Sequence, residues 1–282
     1  MIGVIEIEAL LARRRRNWCQ DGERRVADPA DALKFIERVG VATLYGASPE
    51  FPSLYQAYMS DPNPPSFATW DSPSGEVYGW RWALGRPHSA FYGVIVAKKP
   101  TWAAFRLLPT VIGALMERRT PEELYEAGEL SANARRIAEA FDGTEGVLST
   151  ADLRTRAGFE KGKANRAAYL KAVEELDARL WLAKRFAAEE GPGDEMLHAL
   201  VDIHYAEAAA AGRAMDPADA LMELLGEILK HSVFLDPKPL GRHLNVSVER
   251  LRRALDQLVN HGRAVTLARG RDVIYVSTEE EK

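Results

Sequence analysis

Two groups of cations at helical spacing are the side chains of this 282-residue chain best placed to do chemistry, and that chemistry is the binding of a polyanion. Arg250, Arg253, Gln257 and Asn260 recur at i, i+3, i+7 and i+10, one stripe of a helix, with guanidinium groups near its start and amides further along. Guanidinium groups suit phosphates and guanine edges, and amides suit adenine. Arg269 and Arg271 flank a glycine a few residues later, and Lys163, Asn165 and Arg166 crowd the start of an earlier helix. A third group is aromatic: Trp70, Trp80, Trp82, Phe91, Tyr92 and Trp102, with Arg81 and His88 among them. Such rings can line a pocket for a planar ligand or an unpaired base. At strand spacing they equally well form core and cross-strand pairs.

The elements that must position these groups are legible around the first stripe. Ser247 caps a helix from Val248 to about His261, which Gly262 ends; Val248, Leu251, Leu255 and Leu258 form its buried face. Pro237 to Leu244 reads as a short preceding helix, and Asn245-Val246 as the turn of a helix-turn-helix. Ala264 to Leu267 and Val273 to Val276 alternate as two strands joined at Arg269-Gly270-Arg271-Asp272. The stretch from 233 to 277 is therefore expected to be a winged helix. Residues 131–186 repeat the logic: Ser131 starts one helix, Ser149-Thr150 caps another, and Gly158 to Gly162 is the turn. A longer helix from about Ala164 to Ala178 buries Leu170, Val173 and Leu176, and Leu180 to Phe186 is a strand.

Elsewhere, Asp28-Pro29 caps a helix that Gly40 ends, and residues 41–71 read as a proline-dense loop. Residues 76–97 read as a β-hairpin, with Val77, Tyr78, Trp80 and Trp82 leading to a turn at Gly85-Arg86-Pro87. Residues 101–118 read as a helix kinked at Pro109. Gly191-Pro192-Gly193 is a break, and acidic helices from Asp194 to Lys230 connect two modules. The run Arg13 to Arg16 is either a phosphate-contacting arm or a solvated helix face. The expected fold is mainly α with small β elements. An N-terminal domain (1–125) precedes a winged helix (126–190), a helical connector (191–230) and a C-terminal winged helix (231–282).

Composition sets bounds. A net charge of −4 argues against a dedicated non-specific nucleic-acid binder, but the charge is uneven. Residues 187–230 hold ten acids and two bases, residues 231–276 four acids and eight bases, so the basic balance sits where the wing is. One cysteine, Cys19, excludes an internal disulfide and a cysteine-based zinc site. With no 18-residue apolar run and no signal pattern, the chain is expected to be soluble and cytoplasmic, away from membranes. His198 and His204, six apart, fall on different helix faces, so no metal is expected. No P-loop, G-x-S-x-G, H-E-x-x-H or dinucleotide fingerprint is present, so no cofactor is expected either. Asp71, Glu76 and Glu50 could act as bases, although loop carboxylates usually only face solvent.

Asp31 to Gly40 (DALKFIERVG), Pro52-Ser53-Leu54-Tyr55, Tyr78-Gly79-Trp80-Arg81, Tyr92-Gly93 and Lys99-Pro100-Thr101 resemble the AlkZ-related proteins. These are a branch of the winged-helix superfamily that includes the bacterial alkylpurine DNA glycosylases of the AlkZ type. The resemblance implies a Gln-x-Gln or Gln-x-Asp element just after the glycine of the first motif, positioning the water that attacks the nucleotide. This chain reads Val41-Ala42-Thr43-Leu44-Tyr45 there, and neither Thr43 nor Tyr45 is an efficient base at neutral pH.

The first expectation is accordingly a duplex-DNA-binding protein using Lys163, Asn165, Arg166, Arg250, Arg253, Gln257, Arg269 and Arg271. One alternative is a glycosylase-like enzyme that receives a modified base among Tyr45, Trp80, Arg81, Trp82 and Tyr92. Another is a protein-interaction scaffold, in which the cations are salt-bridged within the protein. No residue is assigned as catalytic, and the sequence leaves the oligomeric state open.

Overall fold

The computed structural model describes residues 2–67, 69–159, 162–187, 196–270 and 272–279. The chain opens with α1 (Ile2–Asn17), α2 (Pro29–Val39) and β1 (Val41–Thr43). Asp28 caps α2 through the Asp31 amide, and Gly40, at φ 78°, ends it. The proline-dense stretch contains α3 (Leu54–Met59), capped by Ser53. The next element departs from expectation: Pro73–Gly85 is a helix, α4, in place of the first strand of a hairpin. Ser72 caps it at the Gly75 amide, and Pro73 occupies the first turn. Val77, Trp80, Arg81 and Leu84, spaced i, i+3, i+4 and i+7, are its buried face, so the apparent strand alternation at 77–82 was a helical stripe.

The hairpin lies further along, as β2 (Phe91–Val96) and β3 (Lys99–Ala103). Its turn residues Ala97 and Lys98 both take positive φ, as a two-residue hairpin turn requires. Because β3 occupies 99–103, Pro109 falls in the first turn of α5 (Leu108–Leu115), where its missing N–H costs nothing, and no kink arises. Then come α6 (Pro121–Glu126), α7 (Ala132–Glu139), β4 (Val147–Leu148), α8 (Thr150–Arg156), α9 (Lys163–Asp177) and β5 (Leu182–Phe186). The expected break at Gly191-Pro192-Gly193 lies outside the described residues. Beyond it, Met196–Leu200 is a strand, β6, and not the start of a helical connector. It pairs with β5 along its whole length. The chain ends with α10 (Val201–His204), α11 (Ala206–Ala214), α12 (Pro217–Ser232), β7 (Phe234–Leu235), α13 (Pro237–Leu244), α14 (Val248–Asn260), β8 (Ala264–Arg269) and β9 (Asp272–Ser277).

The result is an α+β fold, mainly helical with two antiparallel sheets, one ordered β1-β3-β2-β5-β6-β4 and the other β7-β9-β8. The six-stranded sheet joins the N-terminal hairpin to β4–β6 through a single register position, Gly93 opposite Ala183. Alternation along β2 and β3 serves two cores: Tyr92 and Trp102 face the cluster under α2 and α4, while Phe91 and Ala103 face the larger core of α5, α9, α12 and α14. A third cluster, Val233, Phe234 and Ile274, is covered by Leu10 and Leu11 of α1. Among the described residues no helix is long and apolar enough to cross a membrane.

Within the basic run 13–16 of α1, Arg15 and Arg16 are exposed, as a solvated face requires, but Arg14 is buried, against both expectations. Its guanidinium donates to the carbonyls of Pro49 (2.7 Å), Ser232 (2.6 Å) and Phe234, and pairs with Glu50 at 3.5 Å. It also lies 3.6 Å from the centre of the Phe234 ring. Burial outweighs the partner at both ends, lowering the Arg14 pKa to about 10 and raising that of Glu50. Glu50 is thereby the buried counter-ion of Arg14. Arg14→Ala is expected to cost about 3–5 kcal/mol, because it strands Glu50 and three carbonyls. Glu50→Gln should cost less than about 1.5 kcal/mol, since Arg14 keeps its carbonyl acceptors. Urea unfolding of the two variants checks this, and equal losses would contradict the assignment.

Candidate nucleic-acid interface

Ser247 caps α14 by accepting the Arg250 amide, and Leu251, Ala254, Leu255 and Leu258 anchor its other face in the core. The polar stripe is therefore turned away from the core, but not evenly. Arg250 lines a cleft against the body of the molecule; Arg253 is exposed and pairs with Glu249 one turn earlier; Gln257 is half-buried. At the β8–β9 tip Arg269 stands 3.8 Å from Asp236, and Arg271 lies outside the described residues. The exposed Arg253–Glu249 pair contributes little and is readily exchanged for another anion.

The cleft was not anticipated from sequence, because its residues come from five separate segments. Two adjoining cavities of about 400 and 130 Å³ share Ala114, Leu115, Ala178, Asn245 and Arg250. Lys98, Arg118, Arg179 and Arg242 add cations to their walls. Arg118 and Arg179 spend their donors on backbone carbonyls, and Lys98 pairs with Glu174 at 2.7 Å. Among the described residues Arg242 and Arg250 have no acidic partner. Two contacts to α13 hold the cleft in shape. The Ala97 amide donates to the His243 carbonyl at 2.7 Å, and Ser48 Oγ meets His243 Nδ1 at 2.7 Å.

Lys163, Asn165 and Arg166 are exposed on the first turn of α9, and Lys163 and Arg166 have no ion-pair partner among the described residues. Leu170, expected in the core, is 53% exposed on the same helix; Tyr169, Ala172, Val173 and Leu176 make the buried face instead. The far end of α9 leads to Ala178 in the cleft. A helix of 15 residues spans about 22 Å, which sets the separation of the two cationic sites.

The aromatic group divides. Trp80 and Tyr92 are core residues, Tyr92 stacking on Trp102 at 4.2 Å, and Trp82 is half-buried. Arg81 is buried with its guanidinium 3.3 Å from the centre of the Tyr78 ring. Of the aromatics expected to line a pocket, Tyr45 and Trp70 line a surface cavity among the described residues. That cavity, about 200 Å³, is lined by Tyr45, Phe67, Thr69, Trp70, Ser74, Gly75 and Tyr78. Phe67 and Tyr78 carried no usable signal, since the cavity exists only because Pro73–Gly85 is a helix.

The AlkZ-related family model matches residues 26–231, most of the sequence. The chain belongs to the AlkZ-related family. No curated protein matches it. Among solved structures it is similar to the Streptomyces sahachiroi DNA glycosylase AlkZ. The TM-score is 0.56 at 14% identity, covering 94% of this chain and 69% of that one, a likeness of fold. In this AlkZ-related chain Thr43 is fully buried and donates to the Pro52 carbonyl, while Tyr45 donates to the Ser74 carbonyl at 2.8 Å. Burial raises the Tyr45 pKa, away from the range of a base. Glu76 accepts from Trp80 Nε1 at 3.3 Å, and Asp71 is exposed.

The AlkZ-related body supports α9 from below on a buried charge network. Lys184 on β5 donates to both Asp177 oxygens (2.8 and 2.9 Å) and lies 3.2 Å from His198 Nδ1, while His198 Nε2 lies 3.3 Å from Thr150 and 3.4 Å from Tyr169. His204 is elsewhere, between Arg185 and the Glu145 carbonyl, and among the described residues no three metal-ligating groups gather. Burial, then the Lys184 charge, pushes the His198 pKa down to about 3. Below its ordinary pKa of about 6.5 the unfolded chain takes up a proton that the folded imidazole refuses. This group's contribution is therefore complete above that pH and declines as pH falls towards 3, by about 1.4 kcal/mol per pH unit. His198→Asn should flatten the fall in stability between pH 6 and 4, measured by urea midpoints; an unchanged slope would contradict the buried neutral imidazole.

Proposed function

We propose that the chain binds duplex DNA through two winged-helix modules without hydrolysing a glycosidic bond. The first module comprises α7, β4, α8, α9, β5 and β6; the second comprises α12, β7, α13, α14, β8 and β9. In each, a helix, a short strand, two further helices and a hairpin follow one another in winged-helix order, and α9 and α14 stand in the recognition position. The observation that carries the reading is that, among the described residues, Lys163, Arg166, Arg242 and Arg250 are left without acidic partners, while the Glu117 that also lines the cleft is paired with Arg119. A scaffold would be expected to neutralise these cations internally. The likeness to a DNA glycosylase fold supports DNA as the polyanion.

Hydrolysis finds no efficient base at Thr43 or Tyr45. Thr43 and Tyr45 occupy the positions where the resembled glycosylases carry Gln-x-Gln or Gln-x-Asp. A hydroxyl and a phenol of raised pKa cannot activate water at neutral pH. Glu50, the nearest carboxylate in sequence, is tied to Arg14.

Fluorescence anisotropy with a labelled duplex tests the binding. Affinity should fall with salt, and the joint variant Arg242→Ala/Arg250→Ala should reduce the log–log salt slope by about 2, one unit for each phosphate that is no longer neutralised. A flat salt dependence, or an unchanged slope in the variant, would overturn the reading. Incubation with alkylated duplex should release no free base.

A further inference from the structure

We propose that the surface cavity of Tyr45, Phe67, Trp70 and Tyr78 stacks one unpaired nucleobase of a bound strand and holds it uncut. The inference rests on the DNA-binding reading for delivery of the strand, and on four observations of its own.

The first is exposure. Trp70 is 70% exposed, Phe67 44% and Tyr45 37%, three rings gathered around one cavity where folding ordinarily hides such area. The second is that the rings are held. Trp70 meets Tyr78 edge-on at 5.1 Å and Tyr45 meets Tyr55 at 5.6 Å. The loop bearing Trp70 presses on the first turn of α4 so closely that a Cβ at Gly75 would lie 2.1 Å from the Trp70 carbonyl oxygen. A preset platform loses little entropy when a flat ligand arrives.

The third observation identifies the occupant. The loop that starts at Tyr45 reaches His243 only three residues later, at Ser48, and His243 lines the cationic cleft with Arg242 and Arg250. Three residues span at most about 11 Å, so the Tyr45 edge of the platform lies within that distance of the residue that bonds His243 at the cleft. Cations that track a phosphate backbone beside aromatic faces that take its bases are the combination used for unpaired nucleic acid. A proline-rich peptide would use the rings but not the arginines.

The fourth observation separates holding from cutting. Among the described residues the cavity is lined by phenol, hydroxyl, indole and phenyl groups and glycine, without a carboxylate, histidine or thiol. The buried Arg81 cation behind Tyr78 further disfavours a positively charged oxocarbenium-like sugar at this place.

The test uses the full chain and two fluorescein-labelled duplexes, one with 2-aminopurine in a single-nucleotide bulge and one with it fully paired. Anisotropy reports binding and 2-aminopurine fluorescence reports stacking. At saturation the bulged base should be quenched at least about twofold on ring contact, and the bulged duplex preferred. Trp70→Ala should abolish the quench and bring the ratio of bulged to paired affinity to about one; Trp70→Phe should keep part of both. Arg250→Ala should weaken both duplexes equally and leave the ratio intact. Unchanged fluorescence on a saturated bulged duplex, a quench that survives Trp70→Ala, or release of free base would each overturn the proposal. If neither duplex binds, the DNA-binding reading has failed, and single-stranded 2-aminopurine oligonucleotide decides the cavity alone. Quenching that depends on Trp70 would support it; no quenching, or displacement of a bound proline-rich peptide only, would overturn it.

Discussion

One buried guanidinium sets the geometry of this molecule. Arg14 reaches from α1 between the 49–50 loop and the α12–β7 junction, satisfying carbonyls on both sides of the seam. Its counter-ion Glu50 also accepts the Asp236 amide at 3.3 Å, immediately before α13. The C-terminal helices thus take their position from a charge that water cannot screen. Asn17 adds a bond to the His231 carbonyl, and Leu10 and Leu11 pack against Val233, Phe234 and Ile274. The family model covers residues 26–231, so α1 and the elements from β7 onward lie outside the matched region and are joined to each other through Arg14.

The other module is fixed differently, by continuation of a sheet. Gly93 faces Ala183 across the β2–β5 contact, and a side chain at Gly93 would collide with the Phe91 ring. From that strand Lys184 reaches Asp177 at the end of α9. One basic helix is therefore held through a buried ion pair at its C-terminal end, the other through the interface with α1 and α12. Each is fixed by buried contacts to the rest of the described fold. The β2–β3 turn connects the two arrangements: Ala97 bonds α13 while Lys98 pairs with Glu174 of α9.

What could be read in the sequence was local. Ser247, Ser149, Ser131 and Asp28-Pro29 each start a helix where their capping chemistry says they should, because a cap needs only its own three following residues. The α4 helix was legible by the same rule at Ser72-Pro73, but aromatics at 77, 78, 80 and 82 imitate a strand. Helix and strand share apolar positions over such short windows, and the structure resolves the ambiguity through Leu84 at the seventh place. The burial of Arg14 could not be foreseen, since its acceptors come from residues 49, 50, 232 and 234. For the same reason the cleft around Arg250 and the cavity beside Tyr45 are products of tertiary contact. The strand role of Met196–Leu200 was hidden by acidic neighbours that mark a solvated connector equally well.

The claim on which the account turns is that α9 and α14 are presented together to one duplex. Hydroxyl-radical footprinting of the full chain on a duplex of about three helical turns addresses this directly. The account predicts two protected patches on one face of the duplex, less than one turn of about 34 Å apart, with Lys163→Ala/Arg166→Ala erasing one and Arg242→Ala/Arg250→Ala the other. A single patch that both double variants erase together, or protection on opposite faces of the duplex, would contradict it.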